Sequence, residues 1–152
     1  MSFLRTFSLY MKNRVLTANE EDYIEAIYIL SKDYGYTRVN ILAQNLLINK
    51  SSVSSMVKKL KNKEIIESSP GRNIFLTIRG NEIAEFLYVR HQVIEQFLIH
   101  LDIQNNILEK VEKIEHTIDP DVIEKLILLN IYLEANKEHF QSYLKQKIGK
   151  DS

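Results

Sequence analysis

Along most of this chain apolar residues recur at offsets of three and four, the pattern of helices that bury one face. TANEEDYIEAIYILSKDYG, from Thr17 to Gly35, predicts the first helix: Thr17 or Asn19 caps it, acids fill its first turn and Gly35 lies just past its end. Its apolar stripe is Ile24, Ile27, Tyr28 and, at its edge, Ser31. TRVNILAQNLLINKSSVSSMVKKLKNKEII then predicts two short helices. Asn40 caps the first, with Ile41, Ala43, Leu46 and Leu47 on its core face. LINK makes the turn, Asn49 caps the second helix, and Val53, Met56, Val57 and Leu60 recur at helical spacing. Two short helices joined by a tight turn outline a helix-turn-helix.

The pattern changes at IIESSPGRNIFLT. Two β-prone runs flank Ser68-Ser69-Pro70-Gly71-Arg72-Asn73, a hairpin signal. A hairpin directly behind a recognition helix is a wing. Thr77 reads as the N-cap of a long helix over roughly 78–100, with Ile83, Phe86, Leu87, Val93, Ile94, Phe97 and Leu98 as its apolar positions. Three more helices follow, at about 104–117, 120–134 (opening at Pro120) and 136–147. The expected fold is mainly α: an N-terminal winged helix-turn-helix with a small β-hairpin wing, joined by a long helix to an all-α dimerisation domain. The expected domains are an arm over 1–16, a winged helix-turn-helix DNA-binding domain over 17–80, and a linking helix with a helical dimerisation domain over 81–148, the part that also carries all four of the chain's histidines. Leu126, Ile127, Leu129, Tyr132 and Leu133 make the tail more apolar than it needs for itself, which predicts self-association into a homodimer.

Composition narrows the classes. Of 152 residues 45% are hydrophobic, enough for a core, and four Gly and two Pro leave room for few turns. The absence of cysteine excludes disulfides, thiolate metal sites and a cysteine nucleophile. No apolar run approaches the ~18 residues of a membrane span. MSFLRTFSLYMKNRVL is basic and apolar, with Phe3, Phe7 and Met11 at helical spacing, but lacks the continuous apolar stretch of a secretory signal. A cytoplasmic protein without membrane attachment is expected.

The zero net charge hides an asymmetry. Residues 1–80 carry 12 Lys/Arg against 7 Asp/Glu, net +5; residues 81–152 carry 8 against 13, net −5. A basic half on an acidic half points to a polyanion at one end. In the second helix of the helix-turn-helix, Ser51, Ser52, Ser54 and Ser55 are short donors and acceptors near the start, where base edges would be met. Lys58, Lys59, Lys61 and Lys63 suit phosphates, and Arg72 stands at the wing tip. With Asn49 and Lys50 at the helix entry, these residues form a candidate surface for double-stranded operator DNA. The alternative, a solvated Ser/Lys helix, loses ground because the helix, turn, helix and wing occur in order.

The acidic half raises a second chemistry. VEKIEH places Glu112, Glu115 and His116 at offsets that share a helix face, and Asp22 and Glu25 stand at offset three on the first helix. His91 lies in the long helix, in YVRHQVIEQF. Singly, each has a plain explanation: an acid favouring a helix N-terminus, a solvated carboxylate, a satisfied core histidine. Together, four carboxylates and two imidazoles suit hard or borderline divalent ions such as Mn²⁺ or Fe²⁺. They exceed the needs of one ion, so two ions with bridging carboxylates would fit.

EDYIEAIYIL, VNILAQNLLINKSSVSSMVKKL, YVRHQVIEQFL and VEKIEH resemble consecutive blocks of the diphtheria-toxin-repressor family, and most closely its manganese transport regulator branch. The resemblance covers about residues 18–135. It implies a homodimeric, metal-activated transcriptional repressor, with manganese uptake genes as its targets. It also implies that Asp22, Glu25, His91 and Glu115 hold one ion and that Glu25, Glu112, Glu115 and His116 hold the other. The iron-responsive branch has methionine at the place of Asp22 and cysteine at that of Glu112, so this chain's oxygen ligands argue for manganese, two ions per chain. The chain departs from the pattern in its longer N-terminal arm and in Thr117, where a second histidine is common. His100 and His139 match no ligand position and are expected to be structural or surface residues. Two rival functions remain: a winged-helix regulator answering to Fe²⁺, another divalent metal or a small organic ligand, and a di-metal carboxylate enzyme. The second normally draws Glu-x-x-His from two helices, and only one comparable segment exists here. The expectation is therefore a regulator, not an enzyme.

Overall fold

The computed structural model describes residues 16–149; Phe3, Phe7 and Met11 of the N-terminal arm lie outside the described residues. The chain divides into two compact units, the first ending at Tyr88 and the second beginning at Val89.

In the first unit, α1 (Ala18–Leu30) is opened by a capping box: Thr17 accepts from the Glu20 amide, and the Glu20 carboxylate accepts from the Thr17 amide. Tyr23, Ile24, Ala26 and Ile27 form its buried face, and burial pushes the Tyr23 phenol above its ordinary range. β1 (Thr37–Arg38) leads directly into α2 (Val39–Leu46). Here the chain differs from the sequence expectation. Arg38, not Asn40, occupies the N-cap and makes no side-chain cap; Asn40 lies inside the helix. The buried positions of α2 are Val39, Leu42 and Ala43, whereas Ile41 is exposed. Leu47 ends α2 at φ 55° and is 91% exposed rather than in the core. The helix starts two residues earlier than expected, straight from a paired strand, and its buried face is Val39, Leu42 and Ala43 instead of Ile41 and Leu47.

α3 (Lys50–Asn62) is capped by Asn49, whose side chain accepts from the Ser52 amide at 2.8 Å. Val53, Met56, Val57 and Leu60 are all buried, as their spacing predicts. β2 (Ile66–Ser68) and β3 (Asn73–Leu76) form the wing hairpin, in the register Ile66 with Leu76 and Ser68 with Ile74. The sheet has a third member: β1 pairs antiparallel with the other edge of β3, Thr37 with Ile74 and Arg38 with Asn73.

α4 (Ile78–His100) begins in the first unit. Thr77 caps it by accepting from the Gly80 amide at 3.0 Å. The Thr77 amide donates to the Ile65 carbonyl at 3.0 Å, and its hydroxyl lies 2.9 Å from the Glu64 carbonyl and 3.1 Å from that of Ile65. Gly80 is pressed so closely on the backbone just before β2 that a Cβ there would collide with the Ile65 carbonyl oxygen.

The second unit holds the later turns of α4 with α5 (Ile107–Glu115), α6 (Pro120–Ala135) and α7 (Lys137–Ile148). Ile94, Leu98, Val111, Ile123 and Leu133 supply its buried apolar side chains. Asn130 donates to the Val93 carbonyl at 2.9 Å and ties α6 to α4; Gln141 donates to the His100 carbonyl at 3.0 Å and ties α7 to its end. His100 is buried at the close of α4, and His139 is exposed. No helix among the described residues is long and apolar enough to cross a membrane.

Candidate metal centre and nucleic-acid interface

The second unit gathers four potential ligands. α5 runs only from Ile107 to Glu115, with His116 as its C-cap, so Glu112, Glu115 and His116 share its last turn. One ligand atom from each lies within 4.8 Å of the others. His91 reaches the same carboxylate from α4: its Nδ1 stands 3.0 Å from Glu115 Oε2. Glu115 is the centre of the group. It is fully buried, and its other oxygen, Oε1, has no hydrogen-bond partner among the described residues but lies 3.7 Å from His116 Nε2. Glu112 Oε2 sits 3.9 Å from the same nitrogen and is exposed.

Burying a carboxylate is costly unless charge or hydrogen bonds compensate it. Here one oxygen faces an imidazole and the other lacks a hydrogen-bond donor, which fits a cation between the Glu115 oxygens and the flanking nitrogens. The donors are oxygen and imidazole nitrogen with no sulfur, a set suited to Mn²⁺, Fe²⁺ and other borderline divalent ions. In the first unit, Asp22 and Glu25 stand one turn apart on α1, both half-buried.

Beside Asp22, Glu20 has a different occupation. It is buried, and both its oxygens lie 2.8 Å from Lys63 Nζ, at the C-cap of α3. Burial pushes the Glu20 carboxyl up, but the Lys63 hydrogen bonds, the Thr17 amide and the Lys63 charge outweigh it and hold the group below its ordinary range. Lys63 therefore differs from the phosphate-facing lysine suggested by the sequence: its ammonium clamps α3 to α1.

The remaining residues of α3 keep the expected exposure. Lys50, Ser51, Ser52, Ser54, Ser55, Lys58, Lys59 and Lys61 all face solvent, opposite the buried Val53–Leu60 stripe. Asn49 Oδ1 also accepts from the Ser51 hydroxyl at 2.7 Å, which leaves the Ser51 oxygen able to accept from elsewhere. Lys61 Nζ donates to Ser68 Oγ at 3.3 Å, tying the helix to the wing. Arg72 is exposed at the wing tip in the left-handed conformation, φ 60°.

Residues 15–74 match the family described as "Iron dependent repressor, N-terminal DNA binding domain", and residues 77–139 match "Iron dependent repressor, metal binding and dimerisation domain". The chain is 36% identical over 127 residues to the HTH-type transcriptional regulator MntR of Geobacillus thermodenitrificans (strain NG80-2), covering 83% of this chain and 90% of that one. The chain belongs to the iron-dependent repressor family.

Another relative, MntR of Shouchella clausii (strain KSM-K16), is also 36% identical, over 80% of this chain and 85% of its own length. Among solved structures, the manganese regulator SloR superposes with a TM-score of 0.66 at 33% identity, covering 77% of this chain and 55% of that chain. ScaR with bound Zn²⁺ gives 0.65 at 30% identity, over 75% and 54%. This chain thus spans about half the length of those two proteins. Membership identifies a metal-dependent, DNA-binding transcriptional repressor with a winged helix-turn-helix, not an enzyme. Its metal-binding and dimerisation domain includes the helices that carry His91, Glu112, Glu115 and His116.

Proposed function

We propose that the chain is a cytoplasmic, homodimeric, Mn²⁺-responsive repressor that binds operator DNA and controls manganese uptake genes. The observation that carries the metal side is the buried Glu115 carboxylate, set beside His91 Nδ1 with its second oxygen lacking a hydrogen-bond partner among the described residues. In this reading Asp22, Glu25, His91 and Glu115 hold one ion, and Glu25, Glu112, Glu115 and His116 hold a second. Carboxylate oxygen at both Asp22 and Glu112 favours Mn²⁺ over softer ions, in keeping with the manganese named for SloR. The ions supply positive charge that the clustered acids lack.

If these residues share the ions, ligands from α1 and from α4 and α5 would couple the DNA-binding unit to the dimerisation unit. Without a cation the four carboxylates would then repel and the coupling would loosen. Binding that favours one arrangement of the units then favours the DNA-competent population by its difference in affinity for the two states. In the dimer, two copies of α3 would meet half-sites about 34 Å apart. Asn49, Lys50, Ser51, Ser52, Ser54 and Ser55 would sit at the bases, and Lys58, Lys59, Lys61 and Arg72 at phosphates. The homodimer is supported by the apolar side chains left exposed on α6, among them Leu128 (58%), Ile131 (64%) and Tyr132 (63%).

The test is binding to candidate operator fragments from manganese uptake genes, titrated under reducing conditions against Mn²⁺, Fe²⁺, Zn²⁺ and Co²⁺ at fixed salt. The reading expects Mn²⁺ to raise affinity well over tenfold. Equal affinity with and without every metal would overturn the metal-coupled repressor. A response to Fe²⁺ alone would overturn the choice of manganese.

A further inference from the structure

We propose that Arg38 is a DNA-phosphate contact held ready beside the tip of the wing, outside the recognition helix. This rests on the DNA-binding reading of the first unit. Arg38 ends the two-residue strand β1 and pairs across the sheet with Asn73, the first residue of β3 and the neighbour of Arg72 at the wing tip. Its side chain is exposed but not free to wander. Nε donates to Asn73 Oδ1 at 3.0 Å, and the guanidinium carbon stands 5.8 Å from the centre of the Tyr36 ring. That ring in turn leans on Phe75 of β3, centroids 5.6 Å apart. One edge of the guanidinium is thus anchored to the wing and its face is steadied by an aromatic ring.

The other edge has different surroundings. The two terminal nitrogens make no hydrogen bond, and Arg38 has no carboxylate partner, among the described residues. A guanidinium with its terminal fork open and its orientation set matches two phosphate oxygens. An arginine that served only to brace the sheet could use its second edge on a carboxylate or a carbonyl; here it points no second bond into the protein. The commitment to DNA, rather than to an acidic peptide, follows from its place. Arg38 is the residue before α2 of the helix-turn-helix, and it is bonded to the wing residue next to Arg72. It would extend the row of positive charge from α3 toward the wing.

The proposal is tested with the full chain, saturated with Mn²⁺, on a duplex of arbitrary sequence between about 50 and 200 mM salt. Arg38→Gln should weaken binding severalfold and lower the slope of log affinity on log salt by about one unit, the effect of releasing one phosphate. Its melting temperature and Mn²⁺ titration should match the parent. Arg38→Lys should keep the slope and lose only part of the affinity, because the charge stays but the fork does not. Asn73→Ala should likewise keep the slope, since it loosens the arginine without removing it. An unchanged slope in Arg38→Gln overturns the proposal, and more so if melting falls, which would make Arg38 a sheet brace. Lys58→Ala, run in parallel, separates the two readings. A slope lowered by Lys58→Ala and not by Arg38→Gln sinks the role of Arg38 alone; a slope lowered by neither sinks the placement of α3 on DNA as well.

Discussion

Lys63→Met leaves the buried Glu20 carboxylate without its cation, with Thr17 still beside it, and the cost can be worked from the geometry. Lys63 Nζ is 2.8 Å from both Glu20 oxygens, with the Glu20 side chain 6% exposed and that of Lys63 30% exposed. At an effective dielectric of about 20 the gross attraction is about 6 kcal/mol. Most of it offsets the desolvation of the two charges, and the open side of Lys63 screens the remainder. A net cost of about 2 kcal/mol is expected, between the ~1 of exposed pairs and the ~3–5 of fully buried ones. For a chain of this length that lowers the melting temperature by about 4–8 °C. The assay is thermal unfolding of the metal-free protein across a double-mutant cycle with Glu20→Gln, which can preserve the capping box. The coupling between the two sites should exceed about 1 kcal/mol; a value within the ~0.3 kcal/mol scatter of independent sites would refute the clamp. The pH dependence adds a second readout. The Glu20 carboxyl is held below its ordinary range, so its stabilising contribution is present above that range and is lost as pH falls through the lowered value. The gap between parent and Lys63→Met should therefore narrow in acid.

Lys58→Ala or Lys59→Ala should weaken binding to all DNA about equally and lower the salt slope by about one unit for each phosphate released, whereas substitutions at Ser51 or Ser52 should shift preference among operators; competition binding on several duplexes reads both. Glu112→Cys and Asp22→Met should each lose Mn²⁺ activation and keep or gain a response to Fe²⁺, Co²⁺ or Zn²⁺, because thiolate and thioether favour softer ions than carboxylate does; metal-titrated DNA binding measures it. His116→Ala should weaken the second Mn²⁺ more than the first, seen by calorimetry as loss of one binding phase. Sedimentation at micromolar concentration should give a dimer with or without metal, and Ile131→Glu, on the exposed face of α6, should shift it toward monomer.

Local signals carried the sequence reading where they were strong. Asn49 and Thr77 lie at the predicted caps, the stripe from Val53 to Leu60 is buried as spaced, and the hairpin turns around Pro70 and Gly71. The reading slipped at α2, because β1 is only two residues long and gives no alternation to detect. Its pairing with β3 sets where the helix starts, and that start decides that Leu42 faces the core while Ile41 and Leu47 do not. In the candidate metal centre, the spacing of Glu112, Glu115 and His116 showed that they could share a turn. The approach of His91 to Glu115 joins residues 24 apart, and spacing says nothing of it. The same limit hid the Glu20–Lys63 pair, 43 residues apart, and the Arg38–Asn73 bond, 35 apart. Each exists only once the sheet and helices have packed.

The junction at Thr77 and Gly80 makes the start of α4 an outrigger of the wing. Thr77 grips the backbone at Glu64 and Ile65, where the chain has just left α3, and the absence of a side chain at Gly80 lets the helix lie directly on that link. Whatever tilt α3 and the wing take on DNA, the opening turns of α4 inherit it. The stretch of α4 from Ile78 through Tyr88 belongs to the first unit, a lever of about 16 Å at ~1.5 Å per residue. A rotation of the first unit at the DNA surface would therefore also displace Tyr88, where that unit ends. Spin labels on the exposed faces of α3 and the first turn of α4 would keep one separation in every ligation state, so this stretch is a built-in reference against which movement elsewhere in the chain can be measured.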